Sequence, residues 1–320
     1  MLLRPHHRPL LPSATKFFFP PAPHVNPITQ ARIHHYPSQR PSHPNRQPTM
    51  TSSPASKRQK TSSSSSSTPP YELLYWPVLP GRGEHIRLCF EATQTPYADA
   101  CNEDRKNGMG KLMSLISDKN TGDATNGPPL APPVLRHGEL LLSQTPNILL
   151  YLAPKLGLAG PEGDKDAIYH VNQLALTALD GLSNEAHDTH HPIAIGLYYE
   201  DQKEESKRKA ADYVSNRLPK FVGYFERVLQ GEASKGGEWL YGGQLTYADL
   251  VLWQCVDGIS FAFPMAMKQM REGGRYGKVF ELYERVKGRE NVAAYLKSGR
   301  RQKYGNGIYR HYPELDAVEA

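Results

Sequence analysis

The 320-residue sequence predicts an α/β domain followed by an all-helical domain, behind a leader expected to be disordered. Three observations predict this. Residues 1–70 differ in composition from everything after them. Residues 71–156 set short apolar runs around one amphipathic helix and end in a hairpin. Residues 163–320 carry apolar residues at helical spacing, punctuated by Gly and Pro.

The leader carries nine of the 38 basic residues and none of the 32 acidic ones, which leaves 29 basic against 32 acidic and a body near −3. The basic balance therefore belongs to the leader, and a nucleic-acid-binding role for the folded part has no electrostatic basis. Rich in Pro, His and Ser, and ending in Ser62 to Ser67, the leader buries too little apolar surface to offset chain entropy. Three readings of it stay open. Arg without acids suits a mitochondrial transit peptide, although the prolines spoil an amphipathic helix. Lys57-Arg58-Gln59-Lys60 is a short nuclear-type cluster. The third is that Met50 is the true start and residues 1–49 are an extension. The expected location is cytoplasmic, or mitochondrial if residues 1–49 are a transit peptide. No apolar run reaches the ~18 residues that span a bilayer, so no membrane association is expected. Cys89, Cys101 and Cys255 show no CxxC spacing, which fits a reducing compartment without structural zinc.

In the α/β part, Glu72 to Trp76 is a short apolar strand broken by Pro77 to Gly81. Residues 82–94 form a helix whose apolar face holds Ile86, Leu88, Cys89, Phe90 and Ala92. Tyr97 to Cys101 is a second strand, parallel to the first across a right-handed crossover. Residues 102–129 are polar, with a helix around Lys111 to Ser117. Val134-Leu135 and Leu140 to Leu142 are strands of a hairpin turning at His137-Gly138. A helix then starts abruptly, with Thr145 as N-cap and Pro146 at its first position. Its free N–H groups and dipole suit an anion. The order β-α-β, loop, β-β-α is that of a thioredoxin-like domain.

Tyr75-Trp76-Pro77-Val78 then Gly81-Arg82, the Pro133-Val134-Leu135 edge and the Gln144-Thr145 pair resemble the glutathione-binding half of the cytosolic glutathione S-transferases. The resemblance is strongest to the tyrosine-type group (mu, pi, sigma-like). It covers residues 71–156, and the helical half more loosely. It implies the glutathione transferase fold, glutathione as co-substrate, a small hydrophobic electrophile as second substrate, a homodimer and a role in detoxification. It implies that Tyr75 is catalytic and donates a hydrogen bond to the glutathione sulfur. Pro133 matches the cis-proline before the third strand, with Pro132 and Val134 beside it on the edge that meets the cysteinyl backbone. Gln144 and Thr145 match the pair on the γ-glutamyl group, and Arg82 the arginine opening the first helix. Lys106, Lys111 and Lys119 are candidates for the glycyl carboxylate, and Asp180 or Asn184 for the group that reaches a partner subunit's ligand. No metal is implied, and the missing cysteine at the first helix start disfavours thiol-redox chemistry; Cys89 reads as a buried structural residue.

The sequence departs from the family pattern twice. One extra residue stands between Tyr75 and Gly81, which is expected to shift the Tyr75 hydroxyl. Pro132 precedes the cis-proline and has no N–H, so one of two backbone bonds to the ligand is lost. Two further readings follow: a weakly active or non-catalytic binding protein on the same fold, and a glutathione-dependent isomerase.

In the helical half a long helix is expected over 164–190. Asn184, His187, Asp188 and His191 fall on one face at its end; His187 and His191 have a helical metal-ligand spacing, but the favoured reading is a polar stripe at the cleft or partner interface. Residues 201–229 form a helix with a charged, solvated start. Thr246 and Asp249, with Leu245 and Leu250, fit a capping box and hydrophobic staple opening a buried helix that ends at Pro264. Asp249 is thus a folding determinant. The same device opens the core helix of the family. A last helix is expected over 276–296. The tail 307–313 is expected to fold over the cleft, and Tyr198, Tyr199, Phe263, Met265 and Tyr309 are candidate walls of an electrophile pocket.

Overall fold

The computed structural model describes residues 70–317. The leader and Met50 readings lie outside the described residues. β1 (Tyr71–Leu74), α1 (Glu84–Ala92) and β2 (Tyr97–Asp99) form the predicted parallel crossover, with Tyr71 opposite Tyr97. α2 (Ala100–Glu103) and α3 (Arg105–Leu115) follow. β3 (Val134–His137) and β4 (Leu140–Ser143) make the antiparallel hairpin, with Gly138 supplying a φ of 61° at the two-residue turn. The sheet order is β2-β1-β3-β4, and α4 (Thr145–Leu152) leaves its far edge. This is the thioredoxin-like arrangement read from the sequence.

Several boundaries move for physical reasons. β1 stops at Leu74, opposite Val134. Continuing the register would set Tyr75 against Pro133, which has no N–H to give. Tyr75 is therefore released from the ladder just where the Pro132-Pro133 bond, which is cis, crosses the sheet end. Ala100 and Cys101 belong to α2 and not to the second strand, because Asp99 is held by Arg87 and Asn102 and turns the chain.

α5 (Ala167–Ala178) runs through a π turn at Leu179–Asn184 into the short α6 (Glu185–Asp188). The expected single helix therefore carries a bulge and ends before His190 and His191. A π turn adds a residue to the turn and re-aims the side chains after it. α7 (Lys203–Asp212) and α8 (Leu218–Gln230) are likewise joined by a π turn, Tyr213–Arg217. α9 (Tyr247–Ala262) is the central helix, buried from Tyr247 through Val256. α10 (Pro264–Glu272) departs from it at 116°, so Pro264 ends one helix and starts the next. α11 (Gly277–Lys287) and α12 (Glu290–Lys297) replace the single last helix, parted at Gly288 and Arg289.

The start of α9 carries the predicted device. The buried Asp249 carboxylate accepts from Thr246 N–H and hydroxyl, both at 2.7 Å, and from Leu240 N–H at 2.8 Å. Three donors converge on one carboxylate, and that secures both the helix start and the turn before it. One hydrophobic core links the halves: Ile86, Leu88 and Phe90 of α1 join Leu250, Trp253 and Val256 of α9. Among the described residues no single helix is long and apolar enough to cross a membrane.

Candidate functional site

Tyr75 sits at the top of β1, 5% exposed, with its ring over the start of α1. Its hydroxyl oxygen accepts the Arg82 N–H at 2.8 Å. Gly81 and Gly83 make room for the ring: a Cβ on Gly81, at φ 48°, would lie 2.2 Å from the hydroxyl, and one on Gly83 would lie 2.6 Å from the ring. The Arg87 guanidinium lies 5.8 Å from the ring centroid. Burial raises the phenol above its ordinary range, and the Arg82 N–H and the Arg82 and Arg87 charges work against that rise. At neutral pH the group is a phenol whose oxygen already holds one donor, so its own proton is free to be given.

The segment that holds the extra residue, Val78 to Pro80, lines neither of the two cavities around Arg82. Val78 bulges into solvent at φ 62°, 62% exposed, with its N–H 3.3 Å from Asn102 Oδ1. A β-branched residue there is strained, yet the Tyr75 hydroxyl remains on the Arg82 N–H.

Tyr75 borders a cavity of about 470 Å³ together with Trp76, Arg82, Leu130, Pro132 and His187. Pro132, on its rim, has no N–H to offer. Pro133 and Val134 are buried beneath it, Val134 packed with Leu74, Cys101 and Leu112. A second cavity, about 170 Å³, lies on the other side of Arg82 and is lined by Gln144, Thr145, Asp180 and Asn184. Arg82 stands between the two and donates to Asn184 Oδ1 at 2.6 Å. The structure therefore sets Tyr75, Pro132, Gln144 and Thr145 around two adjoining cavities that share Arg82 and Asn184, while the buried Pro133 and Val134 line neither.

Thr145 is not the N-cap. Gln144 holds that position, at φ 70°, with no side-chain capping bond, while Thr145 is the first helical residue and Pro146 the second. The Thr145 hydroxyl turns back to donate to Arg82 O at 3.4 Å, which ties α4 to the Tyr75 loop. A positive φ at a non-glycine residue is costly, and such positions cluster where side chains must be aimed; here it turns Gln144 to the second cavity.

Other expectations sort as follows. Lys111 is tied to Glu72 at 2.6 Å, on the sheet and away from either cavity lining. Phe263 and Tyr309 are core residues, while Met265 is exposed outside the cavities described. Tyr198 and Tyr199 line a third cavity of about 540 Å³ with His187, His191, Arg310 and Tyr312. The tail folds back as expected: Ile308 borders the Tyr75 cavity and Arg310 the third one.

Sequence reasoning missed the buried polar network behind the site. The Glu84 carboxylate, fully buried in α1, accepts from Arg87 at 3.3 Å, Tyr295 at 3.0 Å and Arg301 at 3.2 Å. Arg87 also grips Asp99 at 2.7 Å, and Arg301 grips Asp257 at 2.8 Å. The Glu84–Arg87 spacing of three was the one signal available; the partners lie more than 200 residues away. His190, whose ring joins His187 and His191, was missed because it leaves the predicted helical face.

The family described as "Glutathione S-transferase, C-terminal domain" matches residues 187–299. A glutathione S-transferase of Plasmodium falciparum (isolate 3D7) is 26% identical over 199 residues, covering 61% of this chain and 83% of that one. Glutathione S-transferase Mu 2 of Rattus norvegicus is 26% identical over 235 residues, 72% of this chain and 92% of its own. A glutathione S-transferase of Mesocricetus auratus is 28% identical, again over 72% and 92%. Residues 187–299 thus match the C-terminal domain of the glutathione S-transferases, and most of the described chain is similar to members of that family. The transferase fold is seen directly in solved structures: rat hPGDS complexed with a quinoline superposes with a TM-score of 0.53 at 20% identity, over 73% of this chain and all of that one. Prostaglandin synthase D of Nilaparvata lugens superposes equally well, 0.53 at 16% identity over 73% and 100%.

Proposed function

We propose that this chain is a glutathione transferase in which Tyr75 stabilises the glutathione thiolate for attack on a soft hydrophobic electrophile. The observation that carries this reading is the Tyr75 hydroxyl, at the wall of a cavity and already accepting the Arg82 N–H. A thiol near its ordinary value of ~8.5 is only a few per cent ionised at neutral pH. A hydrogen bond to a charged group is worth ~1.5–3 kcal/mol, so one phenol donor lowers the thiol by roughly one to two units. The thiol proton passes to solvent, the sulfur lone pair forms the new C–S bond, and the leaving group departs with its electron pair. In an addition, the carbanion takes a solvent proton instead. Tyr75 keeps its proton throughout, as its raised value requires.

The second cavity suits the γ-glutamyl end. It is lined by the start of α4, the Gln144 and Thr145 pair and Asp180, with Arg82 between it and the thiol pocket. The same reading includes a second copy of this chain as partner, with the exposed Leu176, which lines this cavity, and the exposed Tyr169 two turns before it on α5 as apolar surface, and a cytoplasmic detoxifying role. Pro132 favours one rival, a weakly active binding protein, because the rim lacks the donor that would pair with a ligand carbonyl.

The test is glutathione binding and turnover of an aryl halide by wild type and Tyr75→Phe. Tyr75→Phe is expected to lower kcat/KM roughly 10- to 150-fold and to raise the bound thiol by one to two units, followed by thiolate absorbance. Binding without turnover in the wild type would favour the rival. Arg82→Ala keeps the N–H under Tyr75 and removes only the guanidinium between the cavities. It is expected to raise KM for glutathione about 10-fold, the ~1.4 kcal/mol of one charged hydrogen bond, with kcat within about twofold. A matching fall in kcat would place the guanidinium in the chemistry instead.

A further inference from the structure

At the end of α6 the chain turns out of the helix and brings three imidazoles together. One nitrogen from each of His187, His190 and His191 lies within 4.8 Å of the others. The ring centroids are 4.8 to 5.1 Å apart. The i, i+4 pair alone is a common surface spacing; the turn after Asp188 adds the third ring.

His190 is the anchor. It is 1% exposed, and its Nε2 lies 2.9 Å from the Ile308 carbonyl oxygen, so Nε2 carries the proton and donates. Nδ1 is then a lone pair, buried and without a hydrogen-bond partner. Leaving a buried acceptor unpaired costs ~1–3 kcal/mol. Donation of one ring N–H to a backbone carbonyl, with the other nitrogen bare, is how metal-bound histidines are oriented. His187 has the Asp188 carboxylate 3.5 Å from its Nδ1, a counter-charge to the nearby Arg310. His191 Nδ1 accepts from Gln202 Nε2 at 3.2 Å, and that amide also reaches the Ala194 carbonyl at 3.1 Å. For His191 Nε2 to ligate, the proton moves to Nδ1 and the ring turns off the Gln202 amide, which keeps the Ala194 carbonyl as its acceptor.

Donors 2.0–2.1 Å from a tetrahedral ion stand about 3.4 Å apart, so side-chain rotation closes the remaining gap. His187 and His191 also border the 540 Å³ cavity, which leaves a fourth position for water. We propose that His187, His190 and His191 form a three-histidine site for a borderline divalent ion such as Zn²⁺, with its fourth position open to that cavity. Imidazole donors and three-plus-one coordination are the chemistry of this ion class. The inference goes beyond the transferase reading and does not depend on it.

The test uses the full chain, without glutathione. Zn²⁺ is titrated against a chromophoric chelator, and Co²⁺ serves as the spectroscopic probe. The leader's own histidines, among them His6 and His7, are further imidazole donors, so the result is read by difference. The double variant His187→Gln/His191→Gln, at two half-buried positions, is expected to lose one equivalent of Zn²⁺ and at least tenfold in the tightest affinity. It is also expected to lose the intense visible band of four-coordinate Co²⁺, whereas His6→Gln/His7→Gln keeps all three. Zn²⁺ is expected to raise the Tm of the wild type and not of the cluster variant. An unchanged stoichiometry and Co²⁺ band in a folded cluster variant would overturn the proposal, as would a wild type showing only the weak six-coordinate Co²⁺ band.

Discussion

Glu84→Ala is expected to lower the free energy of unfolding by about 3–5 kcal/mol, the usual loss when one partner of a buried ion pair is removed. Glu84 belongs to α1, while two of its donors, Tyr295 and Arg301, come from the other end of the chain. The deletion leaves Arg301 with Asp257 and Arg87 with Asp99, but each guanidinium keeps buried N–H groups that faced Glu84. The loss therefore falls on the junction between the α/β and helical halves. For a chain of this size it amounts to roughly 6–20 °C in Tm. Glu84→Gln keeps the shape and both acceptor directions in part, and is expected to lose less than Ala. Chemical denaturation of wild type and both variants measures this. A loss below about 1 kcal/mol for Ala would mean that the network only replaces the solvation of its members.

A fall from pH 7 to pH 5 is expected to cost the native state about 2 kcal/mol through His85 and a similar amount through His190. Both rings are buried, and burial pushes each down to about 3, helped at His85 by the Arg82 charge. The sign follows from the depressed folded values. Below the unfolded value of 6.5 the unfolded chain takes up protons that the native state refuses, so the contribution is present above 6.5 and is lost progressively toward 3. Asp249 runs the other way. Burial pushes it up to about 6, so the native state takes up its proton first and recovers about 1 kcal/mol over the same interval. His85 has no hydrogen-bond partner on either ring nitrogen, which makes it the cleaner probe. In His85→Leu the loss between pH 7 and pH 5, measured by denaturation with a chelator present, is expected to shrink by about 2 kcal/mol. An unchanged slope would mean that the ring reaches solvent when it titrates.

Most of the frame was legible because it rests on local signals. The β-α-β and β-β-α order follows from short apolar runs, Gly138 and the prolines. The Thr246 and Asp249 pair marks the start of α9 within four residues. Tyr75, Arg82, Gln144 and Thr145 were picked out as a group by their spacing and their likeness to one family, and the fold sets them around two adjoining cavities that share Arg82.

What local spacing cannot carry is direction and distant partnership. Thr145 looked like a cap because its residue type favours one, but the turn at Gln144 moved the cap by one position. The π turn at Leu179–Asn184 re-aimed the end of the long helix, so a predicted stripe became a cluster that includes His190. Glu84 finds Tyr295 and Arg301 only once α1 has docked beside α12. By itself the sequence determined the order of the main strands and helices, the start of α9 and the residues available to the site, since these depend on backbone propensity and neighbours along the chain. The tertiary structure alone decided which buried charges pair, which nitrogen stays bare and where the Tyr75 hydroxyl rests. Those depend on groups far apart in sequence that meet only when water between them is removed.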